Sequence, residues 1–465
     1  MARSSFRAHG PTESRRFEAS SLVAALVLAP ALAGCVSYEP APADVSQILA
    51  ELRARAWEAP ADIDRAETEG ARPDQLASFA VTHNPSLRAA RAQIGVARAL
   101  LVEAGLLSDP EIGWDGMDAL ASEIAEGTTS SVDFLAGFGL SIPLPRPGEL
   151  DAKKGAARWR VEETRRRVAQ GEWLLAREVY VSCEDVLEAE RLLDQNKDLV
   201  QVAETTRDYF ERAKAAGAAT AIQANLANGD VLAIRALRVR LEARLRDARH
   251  RLNALLGLPP SSEIPVVAAR EDAVPGDVAV EPEALVERSI DLRPDLAALL
   301  ASYQAAEEEV RLEVARQFPL VAIGTGITLV PGFLTRFNRP AIDTALARRE
   351  ALRGEIEAQV HEIRRQIHDA HAALQEARRE VRFLETELLP NAEESLRLAG
   401  LAFDAGEVTL LEILTLQRAL VDARTRTTEA RAELHRRRWR LLAASGTLLG
   451  IQPQDSHEEQ ETGER

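Results

Sequence analysis

Residues 356–388 read IEAQVHEIRRQIHDAHAALQEARREVRFLETEL. Within them Ile356, Val360, Ile363, Ile367, Ala370, Leu374, Ala377, Val381, Leu384 and Leu388 follow one another by alternating steps of four and three. A helix turns once in about 3.6 residues, so this alternation holds one apolar stripe in line and forms a coiled-coil seam. Pro390 then interrupts the segment, since proline suits a first helical position and breaks an interior one. Beyond it, Ala405-Gly406-Glu407-Val408-Thr409 supplies a glycine for a reversal and a threonine able to cap the next helix. The returning segment keeps a spacing of seven at Ile413, Leu420, Thr427 and Leu434 and runs to Gly446.

The first half of the chain has the same layout. Val179, Val186, Leu193 and Val200 repeat every seven residues, the turn is Ala216-Gly217-Ala218-Ala219-Thr220, and the return ends at Gly257. Gly217, Thr220 and Gly257 match Gly406, Thr409 and Gly446 at an offset of 189. Earlier, Asn84-Pro85-Ser86-Leu87 matches Arg293-Pro294-Asp295-Leu296, and Pro110 matches Pro319, at an offset of 209. Two fixed offsets in order indicate a duplicated unit with 20 residues missing from the middle of the second copy.

That deficit falls in a stretch of different periodicity. Val132, Phe134, Ala136, Phe138, Leu140 and Ile142 alternate with Asp133, Gly137, Gly139 and Ser141, and Ile112 and Trp114 continue the pattern on the earlier arm. Apolar against small and polar is the signature of a lipid-facing barrel strand, and an ordinary half-buried hairpin gives the same alternation. The first hairpin spans 110–145 and the second only 319–334, with Val321, Ile323, Ile327 and Leu329 as its outward candidates. About seven residues per strand fall below the roughly 9–11 of a normal membrane strand.

Lengths fix the arrangement. Gly148 to Gly217 corresponds to about 100 Å of helix, and the segments ending at Pro110 and Gly257 to roughly 40 and 60 Å. Two short helices stacked end to end thus match one long one. The expected fold is mainly α with membrane β-hairpins, built from long antiparallel coiled-coil helices in a duplicated unit.

The 465 residues contain 4% aromatic and 28% charged residues, which suits long amphipathic helices better than a large mixed core. A net charge of −16 disfavours a nucleic-acid partner, and two cysteines, Cys35 and Cys183, exclude a disulfide framework. At the N-terminus Arg3, Arg7, Arg15 and Arg16 precede an apolar stretch from Leu22 to Leu32, too short to span a bilayer and suited to a secretory signal. Leu32-Ala33-Gly34-Cys35 resembles a bacterial lipobox, which implies cleavage before Cys35 and lipidation of it; Val36 favours the outer membrane. The mature charge becomes −18 once residues 1–34, with four Arg and two Glu, are removed.

The expected domains are a signal peptide at 1–34, a lipid-anchored segment at 35–75, a first repeat at 76–257 with its tip at 217, and a proline-rich connector at 258–290. A second repeat at 291–450, with its tip at 406, and a disordered tail at 451–465 complete the chain.

These residues resemble the TolC-type outer membrane efflux proteins, over about 76 to 450. The pieces that carry the resemblance are Asn84-Pro85-Ser86-Leu87, Ala104-Gly105-Leu106-Leu107-Ser108-Asp109-Pro110, Ser141-Ile142-Pro143-Leu144-Pro145 and Phe403-Asp404-Ala405-Gly406-Glu407-Val408-Thr409-Leu410-Leu411-Glu412. The resemblance implies a homotrimer with a helical α-barrel in the periplasm and one shared β-barrel in outer membrane lipid. It implies a passive exit duct for small molecules or metal ions, joined to a periplasmic adaptor protein and an inner-membrane transporter. Gly217, Thr220, Gly406 and Thr409 match the family's periplasmic tip turns. Asp404 and Glu407 flank the second tip, where three copies could form an acidic ring; a solvated charged turn is the plainer reading. Ile112, Trp114, Val132, Phe134, Phe138 and Leu140 are the expected membrane-facing strand positions. The short second hairpin keeps an alternative open, a lipid-anchored periplasmic coiled-coil scaffold with a degenerate barrel and no transport.

Other chemistry is sparse. His368 and His371 could share a metal ion, but no third ligand is evident, so no metal site is expected. Cys183 reads as a packing residue. No phosphate loop, Ser/His/Asp order or paired catalytic carboxylates stand out, so neither an enzyme nor a cofactor is expected.

Overall fold

The computed structural model describes residues 38–57, 70–114, 138–269, 281–324, 327–330, 336–405 and 407–448. Cys35, Val132, Phe134 and Gly406 lie outside them. The chain divides at residues 54 and 55 into two compact units. In the first, helix α1 (Val45–Ala54) is capped by Asp44, whose Oδ1 accepts from the N–H of Ser46 at 2.8 Å.

The second unit holds both repeats. Repeat one comprises α2 (Pro73–His83), α3 (Pro85–Ala104), β1 (Glu111–Trp114), β2 (Phe138–Leu144), α4 (Glu149–Ala215) and α5 (Ala221–Leu256). Repeat two comprises α6 (Pro282–Leu292), α7 (Pro294–Ala315), β3 (Leu320–Gly324), β4 (Ile327–Val330), α8 (Arg339–Phe383), a π-turn (Leu384–Leu388), α9 (Leu389–Asp404) and α10 (Leu410–Ala444). Helix α6 lies across the domain boundary expected at 290.

The duplication extends to individual hydrogen bonds. Asn84 Nδ2 donates to the carbonyl of Leu255 at 2.9 Å, and its counterpart Arg293 donates from Nη1 to the carbonyl of Ala444 at 3.2 Å. In each repeat the residue before the helix-opening proline thus ties the start of the short helix (α3, α7) to the end of the returning one (α5, α10). Helix C-termini leave carbonyls without intrahelical partners, and these donors satisfy one each. The returning helices close on Gly257 (φ 70°) and Gly446 (φ 77°), left-handed positions that favour glycine. A Cβ on Gly446 would lie 2.8 Å from Leu292 Cβ, so a close approach adds to the conformational requirement.

The long helices are buried on the stripes their spacing indicates. Ile363, Ile367, Leu374 and Val381 of α8 are buried, and Ile363, Ile367 and Leu374 pack with Leu285 of α6, Leu296 of α7 and Leu441 of α10. Val179, Cys183 and Val186 of α4 are fully buried against Leu76, Ala77 and Ala80 of α2 and Leu252 and Leu256 of α5. Burial pushes the Cys183 thiol well above its ordinary range, which suits a packing residue.

The repeats differ in two places. Helix α4 runs unbroken for 67 residues, whereas its counterpart carries the π-turn just before Pro390. Gly148 (φ 78°) opens α4, but α8 is entered through three consecutive left-handed residues, Arg336, Phe337 and Asn338 (φ 53–56°). Asn338 Nδ2 donates to the carbonyl of Glu313 at 2.9 Å, which offsets part of the cost of that backbone.

The four strands form one antiparallel sheet in the order β1-β2-β3-β4. Registers Ile112↔Leu140, Trp114↔Phe138, Ile142↔Ile323, Leu144↔Val321, Ile323↔Ile327 and Val321↔Leu329 give all ten positions the same parity.

Candidate functional site: the hairpin tips and the sheet face

Both tips are built by the same local chemistry. At the first, Gly217 (φ 75°) turns the chain, and the N–H of Ala218 donates to the carbonyl of Ala213 at 2.8 Å. At the second, the N–H of Glu407 donates to the carbonyl of Ala402, also at 2.8 Å and at the same offset of 189. Thr220 Oγ1 then accepts from the N–H of Gln223, and Gln223 Oε1 accepts from the N–H of Thr220 at 2.8 Å, a complete capping box. Thr409 and Glu412 repeat the box, with the carboxylate accepting from the Thr409 N–H at 2.6 Å. That backbone hydrogen bond, with a second from the Thr409 hydroxyl, holds the Glu412 carboxyl below its usual range.

The two tips do not hang free of each other. Phe210 of α4 and Ala224 and Ala227 of α5 bury themselves against Leu410 and Leu414 of α10, with Phe403 of α9 alongside. The Phe210 and Phe403 rings meet edge to face, 6.3 Å between centroids. Two turns further along, Arg418 of α10 donates from Nε and Nη2 to Asp230 Oδ1 of α5, at 3.0 and 2.8 Å. The Asp230 side chain is only 5% exposed and that of Arg418 is 64% exposed, so a buried carboxylate depends on a partner reaching in from solvent. Further along still, Glu188 of α4, 2% exposed, accepts from Arg244 of α5 and Arg436 of α10, each at 2.6 Å. One helix of the first repeat is thereby bonded to the returning helices of both.

Gly217, Thr220, Thr409 and Glu407 accordingly stand at the two turns. Glu407 is exposed, and Asp404 ends α9. The Asp230–Arg418 pair and the Phe210 cluster joining the hairpins carry no spacing signal, because their partners lie nearly two hundred residues apart. His368, one of the paired histidines, has Nε2 2.7 Å from Glu283 Oε2 and joins α8 to α6.

Charge is distributed unlike the net figure. Helix α5 carries seven Arg against Asp230, Glu242 and Asp247, and α10 eight Arg against Glu412, Asp422, Glu429 and Glu433. The segments 58–69, 115–137, 270–280 and 449–465 hold eighteen acidic residues against three basic ones. The acidic balance therefore does not run along the returning helices, as a uniform field would require.

The sheet presents one apolar face. Ile142, Leu144, Ile323, Ile327 and Leu329 are all exposed there, while Ala322 of the other parity is buried. Ile112, Trp114, Phe138 and Leu140 hold the same register parity as Ile142. Among the described residues no helix is long and apolar enough to cross a membrane.

Residues 76–258 match the family model described as outer membrane efflux protein. A relative from Cupriavidus metallidurans, the cobalt-zinc-cadmium resistance protein CzcC, is 23% identical over 363 residues, 75% of this chain and 84% of that protein. The fold is similar to that of the outer membrane protein VceC from Vibrio cholerae, with a TM-score of 0.65 and 16% identity over 81% of this chain and 96% of the other. It is likewise similar to the open state of the Neisseria gonorrhoeae MtrE outer membrane channel, with a TM-score of 0.63 and 18% identity over 81% and 89% of the two chains.

Proposed function

We propose, from the match of residues 76–258 to the outer membrane efflux protein family model, that the chain is a member of that family and the exit duct of a tripartite efflux system. Three copies set their helices side by side as a tunnel wall and close their sheets into one barrel. The observation that carries this reading is the sheet face: five large apolar side chains exposed together on β2, β3 and β4, in a four-stranded sheet whose outer strands, β1 and β4, have no further strand beside them among the described residues. Open edges and an apolar face are untenable in a lone chain and are resolved together by closure in lipid.

The tips at Gly217 and Gly406 meet the periplasmic adaptor, and the adaptor links the duct to an inner-membrane transporter. The solute is selected by that transporter; metal ions are one class, in keeping with the name of the Cupriavidus relative. Cys35 is the acylated N-terminus of the mature chain, and Cys35→Ala removes the diacylglycerol mass from it. The duct itself is tested by planar-bilayer conductance of purified trimer after the tips are loosened with Phe210→Ala and Arg418→Ala. Stepwise conductance is expected; a monomer, or a trimer with no conductance in the loosened form, would refute the reading.

A further inference from the structure

Away from the tips and the sheet, a polar slot lies between α4 of the first repeat and α8 of the second, with α7 packed against both. It sits where α10 ends at Ala444 and α7 begins at Pro294, and its two lobes hold about 720 and 600 Å³. Ala298 and Ala358 on the larger lobe, and Ala370 and Ala444 on the smaller, are too small to close it. Each volume is that of a small-molecule site. Gln170 of α4 and Gln359 of α8 line both lobes and stand 189 residues apart, so equivalent faces of the two long helices meet here. The equivalence ends with the next turn. Trp173 and Arg177 of α4 correspond at the same offset to Glu362 and Gln366 of α8, which makes one wall cationic where the other is acidic or neutral.

Charge divides the lobes. The larger is lined by Asp295, Glu355 and Glu362 against Arg167, whereas the smaller gathers Arg177, Arg293, Arg365 and Arg440. Most of these groups are spent on the walls. Arg293 is buried, bonds to Asp295, Gln366 and the carbonyl of Ala444, and lies 5.3 Å above the Trp173 ring. Asp295 accepts a further bond from Gln359 at 2.9 Å, and Arg365 is held by Glu362 and Asp369, each at 2.6 Å. Arg167 pairs with Glu163 on its own helix. That leaves Glu355, exposed at one end, and two arginines at the other. Arg177 bonds to the adjacent Glu178, and Arg440 reaches Glu433 of its own helix only at 3.4 Å, a long contact. Among the described residues none of the three is bonded across the slot.

A single small ion would satisfy one end of such a site and leave the other unmatched. Glu355 and Gln366, the latter at the level of Arg177 in the repeat, are eleven residues apart on α8. That is roughly 16 Å of axis at about 1.5 Å per residue, shortened by the side chains that reach inward from both ends. We infer that the slot binds a small zwitterion, an ammonium group and an oxyanion joined by a short chain. The ammonium meets Glu355 beside the two glutamines, the oxyanion sits between the guanidinium groups of Arg177 and Arg440, and the chain lies along Ala358 and Leu174. A bound ligand would then join α4 to α8, and with them the two repeats. The site lies within one chain and does not depend on the duct reading.

Isothermal titration of the purified full chain in detergent tests it with three probes. 6-Aminohexanoate should bind saturably, and at least about tenfold more tightly than hexanoate, which lacks the ammonium, or glycine, whose charges are too close together. Glu355→Gln should weaken 6-aminohexanoate to the level of hexanoate and leave hexanoate unchanged. Arg177→Gln, which copies Gln366 of the other repeat, combined with Arg440→Gln should weaken both acids at least about tenfold. Ala358→Leu fills the larger lobe without altering a charge; it should abolish 6-aminohexanoate binding while the melting temperature is kept. The charge variants decide the matter if Ala358→Leu lowers that temperature. No saturable heat with 6-aminohexanoate, equal affinity for it and hexanoate, or unchanged binding in the charge variants would each overturn the site.

Discussion

The pair Asp230–Arg418 makes an asymmetric prediction that can be worked through. Asp230 is nearly fully buried on α5 and Arg418 mostly exposed on α10, so the two partners do not have equal stakes in the bond. Arg418→Ala leaves a desolvated carboxylate without its partner. A lost charge-assisted bond plus an unpaired buried group should cost about 2–3 kcal/mol locally. Asp230→Ala removes the buried charge itself and returns Arg418 to water, where an exposed pair is worth about 1 kcal/mol or less. The two hairpins are also joined by the Phe210, Leu410 and Leu414 cluster, so the chain keeps its fold in either variant. The effect is read as amide hydrogen exchange over 221–231 and 410–418, which reports local opening. Arg418→Ala should speed exchange there by about 30-fold or more and Asp230→Ala by about fivefold or less, at about tenfold per 1.4 kcal/mol. The double variant should resemble Asp230→Ala, because no buried charge is then left. An Asp230→Ala effect equal to or larger than that of Arg418→Ala would refute the reasoning, since it would mean that the carboxylate is solvated and the pair ornamental.

Two more outcomes follow from the turns. Gly217→Ala meets open space and costs only the left-handed backbone, about 1–2 kcal/mol, whereas Gly446→Ala adds a 2.8 Å contact with Leu292 Cβ and should cost about 1–3 kcal/mol more; thermal unfolding ranks them. The second tip should loosen in acid while the first does not. The Glu412 carboxyl is held below its ordinary value of 4.5, so its contribution is present above that pH and is lost as pH falls through the lower folded value. Exchange at the amides of 409–412 should therefore quicken relative to 220–223 below about pH 4.5, and Glu412→Gln, which copies Gln223, should abolish the difference.

What the sequence discloses about this fold is what is local or periodic. The seam from Ile356 to Leu388 needs only a helical period, and the tips at Thr220 and Thr409 need only a glycine and a capping residue close together. Two fixed offsets then locate the Asn84 and Arg293 ties, although not the carbonyls they reach. The remainder depends on distances that no spacing encodes. Asp230 and Arg418 meet because two hairpins lie side by side, and neither residue differs in type from the many surface charges around it. The left-handed entry to α8 is hidden for another reason: Arg336, Phe337 and Asn338 contain no glycine to announce it. The π-turn gives equally little notice, since Leu384 and Leu388 keep the seam through it and only Pro390 marks the place.

Net charge shows the same separation between a sum and a placement, and it leads to a last prediction. A total of −16 invites the idea of a tunnel lined by acid, yet α5 and α10 each carry four more Arg than acidic residues. The segment joining β1 to β2, residues 115–137, contains Asp115, Asp118, Glu123, Glu126 and Asp133 and no Lys or Arg. In the proposed trimer three copies of this segment would carry fifteen acidic side chains, whereas the second tip supplies only Glu407 and Asp404 from each chain. Rings of acid set cation preference where field lines have no other charge to end on, and paired charges along a wall contribute little. Replacing those five acids by their amides should move the reversal potential of the tip-loosened trimer under a potassium chloride gradient most of the way to zero. Glu407→Gln should shift it by a smaller amount. If Glu407→Gln alone abolishes cation preference while the five-fold replacement leaves it intact, selectivity resides at the periplasmic aperture and the acidic segment has no part in conduction.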